Sequence, residues 1–288
     1  MAQNAISAQD LTYRYGDRLG VDHISFEVAE GEVLGFLGPN GAGKSTTVKM
    51  LTGQLRPAEG RALLLGKDIT KHTKAVQAQI GVSFETTNLY EQLNAVENLE
   101  LFARLFGVKQ FNALALLEKV GLGGREKERV ANYSKGMKQR LMMARALVNN
   151  PRILFLDEPT DGLDPVSSGT IHALIREMVS KGTTIFLTTH DMVEADKLSD
   201  RVAFINMGKI AAIDKPSALK QRYGKRALLV EVAGTNGTNG RREIPLDAEN
   251  TPQQLHDLFQ RERVVTVHSE EATLEDIFVE MTGRGLHG

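Results

Sequence analysis

The 288-residue chain is 41% hydrophobic and 25% charged, proportions that exclude a disordered, collagen-like or coiled-coil protein. Its 35 Lys and Arg residues nearly balance its 36 Asp and Glu residues, so the charge gives no reason to expect nucleic acid as a partner. The absence of cysteine excludes disulfides, thiolate zinc sites and cysteine nucleophiles.

At ~100 to 200 residues per domain, the length predicts one large domain with an appendage, or two modest domains. No apolar run approaches the ~20 residues that are needed to cross a bilayer. Residues 1–10 lack the basic and then apolar stretches of a secretory signal. Any membrane span is therefore expected to come from another protein.

The first half of the chain is predicted to change from strands to helices. A helix is expected to begin near Gly43, and apolar side chains at three- and four-residue spacing predict helix over residues 93–120. Residues 134–146 form a further predicted helix, which must end before Pro151 because proline cannot continue it. Short apolar segments between glycine or polar turns predict earlier strands at residues 11–15, 24–28 and 32–37.

Two later segments are predicted to be buried strands. Residues 153–156 and 184–187 are apolar without alternation, which is typical of strands buried on both faces of a parallel sheet. A helical pattern at residues 171–178 separates them. This order of strand, helix and strand predicts a parallel α/β layer.

The C-terminal part is predicted to be a small unit, residues 223–288, beside a large domain of residues 1–222. Residues 227–233 and 242–246 flank the Gly-rich segment 234–240, which indicates a hairpin with a long loop. Two helices should follow that hairpin.

These two helices are recognised by their caps. Thr251, with Pro252 at the first helical position, is expected to form a capping box, and Thr273 is expected to cap the last helix. Their predicted apolar faces are Leu255, Leu258 and Phe259 in the first, and Leu274, Ile277, Phe278 and Met281 in the second.

The strongest motif is a glycine-rich loop between a predicted strand and a predicted helix. Its glycines let backbone N–H groups surround phosphate oxygens, and the helix N-terminus adds the positive end of its dipole. Lys44 is expected at the β- and γ-phosphates, Ser45 at Mg²⁺ and Thr46 at the α-phosphate. The match to G-x-x-x-x-G-K-[ST] comprises Gly38, Pro39, Asn40, Gly41, Ala42, Gly43, Lys44 and Ser45.

Two carboxylates follow the buried strand at residues 153–156. A parallel strand that ends in Asp157 delivers this carboxylate to the edge of the sheet where the phosphate loop lies. Asp157 is therefore predicted to serve the metal, mostly through water. Glu158 points differently and is the predicted acceptor of a proton from the attacking water.

Upstream of Asp157 lies the segment Tyr133, Ser134, Lys135, Gly136, Met137, Lys138, Gln139 and Arg140. Ser134 caps a helix and Gly136 lets backbone approach, so this is a second anion-binding helix end. At this place ATP-binding cassette (ABC) ATPases carry their signature sequence, and the chain resembles that family over residues 11–214. The resemblance implies that Ser134, Gly136, Lys138 and Gln139 contact ATP that is bound to the opposite subunit.

The resemblance also implies a fold and cofactors. The expected fold class is α/β, a P-loop NTPase of ABC type. It comprises a mixed sheet with a RecA-like core, an antiparallel β subdomain and a helical subdomain at about residues 86–150, with a small C-terminal α/β module. The implied cofactors are ATP and Mg²⁺.

Further positions match the family one by one. Tyr15 falls where the family stacks an aromatic ring on adenine. Asp164 ends the segment that corresponds to the D-loop at the dimer interface, and His190 takes the place of the switch histidine at the γ-phosphate. Glu85 stands where most members carry the Q-loop glutamine, which binds Mg²⁺. An ionised glutamate keeps the metal-binding oxygen but loses the amide donor.

The resemblance implies two protein partners. One is a second ATPase subunit, either a homodimer or a heterodimer with a degenerate partner. The other is a separately encoded transmembrane permease, which would hold the chain at the cytoplasmic face of the cell membrane. Leu89 and Tyr90 lie where transporter ATPases receive a short helix from the membrane subunit, but they suit the subdomain core equally well.

Three functions are compatible with this machinery. Residues 272–278 and 281–284 resemble the tail of the subfamily that serves drug, polysaccharide and lipid exporters, which favours an exporter ATPase. An importer ATPase is the second. The third, a ribosome- or DNA-associated ABC protein, usually carries two cassettes or a coiled-coil insertion. A regulatory or dimer-stabilising role for the tail is a hypothesis.

Overall fold

The computed structural model describes residues 4–224, 226–233, 240–246 and 248–283. The described residues up to Lys215 pack as one compact unit and those from Pro216 onward as a second. The strands in chain order are β1 Asn4–Tyr15, β2 Arg18–Ala29, β3 Val33–Leu37, β4 Glu59–Leu64, β5 Lys67–Asp68, β6 Ile80–Ser83, β7 Ile153–Asp157, β8 Thr184–Thr189, β9 Arg201–Asn206, β10 Lys209–Asp214, β11 Arg226–Val232, β12 Gly240–Pro245 and β13 Val264–Glu271.

The helices vary in length from short connecting turns to the 16 residues of Pro165–Ser180. In the part of the chain that the structure covers, none is long and apolar enough to span a membrane. In chain order they are α1 Lys44–Leu51, α2 Thr73–Gln77, α3 Ala95–Leu105, α4 Ala113–Lys119, α5 Lys135–Ala146, α6 Pro165–Ser180, α7 Met192–Leu198, α8 Pro216–Tyr223, α9 Thr251–Arg261 and α10 Leu274–Thr282.

A mixed sheet forms the centre of the first unit, with strand order β10-β9-β3-β8-β7-β6. All neighbours are parallel except β9 and β10. Strands β3, β7 and β8 are buried along their whole length, which explains why they carry apolar segments without alternation. In the register, Leu37 lies beside Thr189 and Asp157 beside Thr188. The ends of these strands therefore share one edge, as predicted.

A second, antiparallel sheet has the order β2-β1-β4-β5. Its inner face joins the core over the central sheet, where the rings of Phe26, Phe36, Phe155 and Phe186 lie 5.2 to 5.8 Å apart. Aromatic pairs at such distances add stabilisation beyond the area they bury. The two sheets confirm the predicted mixed core and antiparallel β subdomain.

Helices α3, α4 and α5 pack together through a shared apolar core that includes Leu99, Leu117 and Leu141. The prediction of continuous helix over residues 93–120 was wrong. Helix α3 ends at Leu105, and Gly107 has a φ of 69°, a left-handed conformation that stops a helix. The chain re-enters helix at α4, which Asn112 caps.

The second unit contains a three-stranded sheet, β12-β11-β13, with α9 packed on one face. It begins at Pro216 rather than at residue 223, because α8 packs against α10 and buries Leu219. Within the predicted Gly-rich loop, residues 234–239 lie outside the described part of the chain, as do residues 284–288 of the family-like tail.

The two predicted helix caps of this unit had different outcomes. Thr273 caps α10 in a reciprocal box with Asp276, as expected for its position. The capping box at Thr251 was wrong, since Asn250 occupies the N-cap position and the Thr251 hydroxyl donates instead to the carbonyl oxygen of Pro245. An acceptor outside the helix therefore replaces the one within it.

Candidate active site

The phosphate loop joins β3 to α1 at the carboxyl edge of the central sheet. A side chain at Gly38 would place its Cβ 2.2 Å from the carbonyl oxygen of Ile205, so only glycine fits there. Gly43 has a φ of 114°, and a Cβ there would lie 2.9 Å from the carbonyl oxygen of Gly20. Both glycines allow the backbone to curl tightly before Lys44 begins the helix.

A cavity of about 410 Å³ opens above this loop, large enough for a nucleotide-sized ligand. The Tyr15 ring is half exposed at its rim, and its hydroxyl lies 3.2 Å from Thr46 Oγ1. Exposed Glu85 follows β6 and lines the same cavity. The lining residues are Tyr15, Arg18, Leu19, Gly20, Pro39, Asn40, Gly41, Gly43, Lys44, Ser45, Thr46, Glu85 and Glu158.

Asp157 ends β7 beside the loop and is only 4% exposed. Its Oδ1 accepts hydrogen bonds from Ser45 Oγ at 3.3 Å and Thr188 Oγ1 at 2.5 Å. Burial raises the pKa of this carboxyl, and the two hydroxyl donors only partly offset the effect. A hard cation would relieve this desolvated carboxylate. The paired oxygens of Ser45 and Asp157 therefore suit Mg²⁺.

Glu158 occupies the centre of the site and is 7% exposed. Its Oε2 lies 2.9 Å from His190 Nδ1 and accepts from the His190 backbone N–H at 3.2 Å. Its Oε1 lies 3.0 Å from Lys44 Nζ in an ionic contact without hydrogen-bond geometry. Lys44 also donates to the carbonyl oxygen of Gly38 at 2.6 Å. One carboxylate thus connects the phosphate-loop lysine to the histidine after β8.

The predicted signature residues lie apart from this cavity. Ser134 is exposed and caps α5 by accepting from the Met137 N–H at 3.2 Å, and Gly136 lies in the first turn of that helix. Lys138 pairs with Glu91. Gln139 is buried, and its Nε2 makes no hydrogen bond within the described residues.

Asp164, the predicted D-loop residue, caps α6. Its Oδ1 accepts from the backbone N–H groups of Val166 and Ser167 at 3.0 Å, and bonds with Ser167 lower the pKa of its carboxyl. It also stands outside the cavity. The chain therefore carries the predicted site residues as two groups, one at the phosphate loop and one at the starts of α5 and α6.

Sequence reasoning missed residues that line the cavity and one that supports its carboxylates. Arg18, Leu19 and Gly20 enter it from the start of β2, opposite Tyr15 in the hairpin. Hairpin pairing could have predicted them, because it places Arg18 beside Tyr15, the residue expected to stack on adenine. Thr188 holds Asp157 and accepts from the Glu158 N–H at 3.2 Å, but a threonine inside an apolar strand carries no such signal.

Comparisons with known proteins identify the family of this chain. The family model described as ABC transporter matches residues 21–161. The fluoroquinolones export ATP-binding protein of Mycobacterium tuberculosis is 44% identical, with 98% of this chain and 94% of the relative covered. The daunorubicin resistance ATP-binding protein of Streptomyces coeruleorubidus is 34% identical, with 98% and 97% covered. The Nod factor export ATP-binding protein I of Paraburkholderia xenovorans is 37% identical, with 99% of each covered.

Solved structures with a similar fold are also ATP-binding proteins of ABC transporters. The ATP-binding subunit of an ABC transporter superposes with a TM-score of 0.71 at 29% identity, covering 76% of this chain and 93% of that one. A dimeric ATP-binding cassette in a post-hydrolysis state with ADP and Pi has a TM-score of 0.68 at 26% identity, covering 73% and 98%. The chain therefore belongs to the ABC transporter family, as one of its ATP-binding and ATP-hydrolysing proteins.

Proposed function

We propose that this chain is the ATPase subunit of a membrane exporter, in which two copies close head to tail on ATP and drive a separately encoded transmembrane permease. The observation that carries the ATPase part is the Glu158 carboxylate, which connects Lys44 to His190 beside the phosphate loop. The export direction is supported by the names of relatives that match this chain over nearly its whole length.

The phosphate loop and the first turn of α1 would bind the triphosphate through backbone N–H groups and Lys44. Ser45 and Asp157 would hold Mg²⁺, with Glu85 as a further oxygen donor on the cavity wall. When bound, Mg²⁺ supplies positive charge that neutralises the phosphate oxygens. Tyr15 is exposed enough to stack on the adenine ring.

Glu158 is the general base of this proposal. The phosphate oxygens of bound ATP would compete with its Oε1 for Lys44, which would leave the carboxylate able to accept a proton from the attacking water. His190 Nδ1 fixes the orientation of the other oxygen, Oε2. Replacing Glu158 by Gln removes the proton acceptor but keeps the shape of the side chain.

The head-to-tail pair follows from the separation of the two groups of site residues. The N-terminus of α5, with Ser134 and Gly136, does not line the cavity of its own chain and is an anion-binding end without a role there. A second copy would bring this end to the γ-phosphate. One chain carries both Glu158 and Ser134, so a homodimer would contain two complete sites.

A groove beside β6 is the proposed contact with the permease. Its cavity of about 390 Å³ is lined by Tyr90, Phe102, Phe106 and Arg145, among other residues. Tyr90 is 51% exposed, whereas Leu89 packs against the core of the helical region. Of the two candidates, Tyr90 is therefore the proposed partner contact, and the chain would be held at the cytoplasmic face of the membrane through this groove.

The exporter proposal is tested by purifying the tagged Glu158→Gln chain with ATP from gently solubilised membranes. We expect a polytopic membrane protein to co-purify in a fixed ratio, because the closed dimer should remain bound to its permease. Recovery only from the soluble fraction, with ribosomal or nucleic-acid components, would overturn the exporter assignment.

Catalysis is tested separately with the same variant. Purified Glu158→Gln should bind ATP about as tightly as the unsubstituted chain but lose at least about a hundredfold in turnover, the usual contribution of a general base. Turnover at the unsubstituted rate would move the role of base to another residue, with His190 the first to examine.

A further inference from the structure

Glu194 is a buried carboxylate that the proposed hydrolysis does not use. It lies in α7 and is only 4% exposed. Its Oε1 accepts a hydrogen bond from Thr160 Oγ1 at 2.6 Å and lies 2.7 Å from His172 Nε2 of α6. Its Oε2 has no hydrogen-bond partner within the described residues. Burial of a carboxylate is unfavourable unless donors surround it, so its two contacts matter to the fold.

Thr160 connects this carboxylate to the active site, because it lies two residues after Glu158. Glu158 has a φ of 49°, in the left-handed region that is unfavourable for a residue with a side chain. Such a conformation persists only where neighbouring contacts fix the backbone. Thr188 fixes the N-terminal side by accepting from the Glu158 N–H through its carbonyl oxygen and its hydroxyl.

The contact of Thr160 with Glu194 fixes the other side of the same turn. Asp161 N–H donates to the Glu158 carbonyl oxygen at 3.3 Å, and Leu163 N–H donates to the Thr160 carbonyl oxygen at 3.1 Å. These bonds form a continuous turn that begins at Glu158. Within the described residues, Asp161 of this turn also pairs with Lys135 of α5 at 3.3 Å and lies 4.0 Å from His190 Nε2, while Leu163 packs against the apolar core. Both contacts of Asp161 reach solvent, so water screens them and each contributes little.

Glu158 and Glu194 both line one cavity of about 250 Å³. Its walls include Glu158 and His190 together with Thr160, His172 and Glu194. The turn therefore borders the same cavity as the catalytic pair and the buried carboxylate. A change at Thr160 reaches Glu158 through the backbone and not through the phosphate loop.

We propose that Glu194 is a positioning residue, which holds Thr160 and His172 and thereby sets the Glu158 carboxylate against His190. This inference rests on the proposed role of Glu158 as the general base. It assigns Thr160, His172 and Glu194 to turnover but not to nucleotide binding, since none of the three lines the cavity at the phosphate loop.

The test compares Thr160→Val with Thr160→Ser in the purified full chain. Valine keeps the volume but removes the donor, so kcat should fall by about tenfold, in line with loss of a bond to a charged acceptor. The KM for ATP and the Kd measured with a fluorescent ATP analogue should stay within about twofold, because the phosphate loop is unchanged. Serine restores the hydroxyl and should restore kcat to within about twofold.

Glu194→Gln is the second arm of the test, since glutamine keeps the shape of the side chain but lacks the negative charge. It should lower kcat in the same direction as Thr160→Val with unchanged ATP affinity. If Thr160→Val fails to fold, the kcat of Glu194→Gln decides the test, and an unchanged kcat in this variant overturns the proposal. Thermal unfolding of every variant shows whether a loss of kcat follows a loss of structure.

Thr170→Val is the matched control. Its hydroxyl donates to the Val166 carbonyl oxygen within the exposed side of α6, so the same substitution there should leave kcat unchanged. The proposal is overturned if Thr160→Val keeps its kcat, if Thr160→Ser is as slow as Thr160→Val, or if ATP affinity falls as much as kcat. If Glu158→Gln itself retains turnover, the assignment of the base is wrong, and that outcome is separate.

Discussion

At the residue scale, two adjacent carboxylates acquire different chemistry from their surroundings. Asp157 receives two hydroxyl donors, Ser45 and Thr188, and burial raises the pKa of its carboxyl. Glu158, the next residue along the chain, lies between the Lys44 ammonium group and the His190 ring. The first arrangement suits a bound cation and the second suits proton transfer. The two neighbouring side chains reach different surroundings because β7 ends at Asp157 and the chain turns at Glu158.

The buried charge of Asp157 leads to a stability prediction. Its pKa is raised above the ordinary 3.8, so the folded chain binds a proton more readily than the unfolded chain, and ionisation at neutral pH destabilises the fold. Asp157→Asn should therefore raise the thermal unfolding temperature at neutral pH without Mg²⁺, while abolishing Mg²⁺-dependent ATPase activity.

The pH dependence supplies the control for this comparison. As the pH falls through the raised pKa, the native carboxyl takes up its proton, and the difference in unfolding temperature between Asp157→Asn and the unsubstituted chain should shrink. A variant that is less stable at neutral pH would show that the hydrogen bonds of the carboxylate outweigh its desolvation.

Arg18 is predicted to strengthen nucleotide binding, because it lines the cavity with Lys44 and no acidic partner of Arg18 is found among the described residues. Arg18→Ala should raise the Kd for ATP by roughly three- to tenfold, the scale of one exposed charged contact to phosphate. Arg14→Ala is the control, since Arg14 is exposed on the same hairpin but does not line the cavity. If both substitutions raise the Kd for ATP equally, Arg18 acts only through the overall positive charge of the hairpin and makes no specific contact with the nucleotide.

At the element scale, sequence reasoning succeeded where a pattern is local. Glycine spacing identified the loop before Lys44, and the apolar segment that ends at Asp157 predicted both a buried strand and the sheet edge it reaches. It failed where a partner outside the element decides the outcome. Thr251 is diverted from its predicted cap by the Pro245 carbonyl, and Thr188 gains its role only from β7 beside it.

The start of α5 provides a prediction that separates stability from function. Ser134→Ala removes an N-cap and should destabilise the chain by about 1 kcal/mol. Asn112→Ala removes the cap of α4 in the same way and should destabilise it by about the same amount. Chemical denaturation and ATPase assays on both variants distinguish the roles of the two caps.

Only Ser134→Ala should lose ATPase activity beyond what its lower stability explains, because Ser134 is proposed to contact ATP on the second copy. Parallel losses of activity in the two cap variants would reduce Ser134 to a structural cap. Unchanged activity in Ser134→Ala would remove the serine from the composite site.

At the scale of the whole molecule, the predicted ATP-site residues all lie in one of the two compact units. All residues of the phosphate cavity and of the α5 and α6 ends lie in the unit that ends at Lys215. The second unit has its own small core, which includes Val230, Val232 and Ile244. Its surface nevertheless exposes large apolar side chains, among them Phe259, Val265 and Val267. We propose that this unit stabilises the dimer and that these side chains are candidate contacts.

Removal of residues 216–288 tests whether this second unit supports the dimer. The truncated chain should keep its Kd for ATP within about twofold, because the cavity lies wholly in the remaining unit. In the Glu158→Gln background, its ATP-driven dimer should dissociate at about tenfold or higher protein concentration, as measured by light scattering after size exclusion. Phe259→Ser in the full-length chain is the milder companion and should weaken the dimer in the same direction. If the truncated and full-length chains dimerise equally, the second unit acts elsewhere and the α5 contacts alone hold the pair.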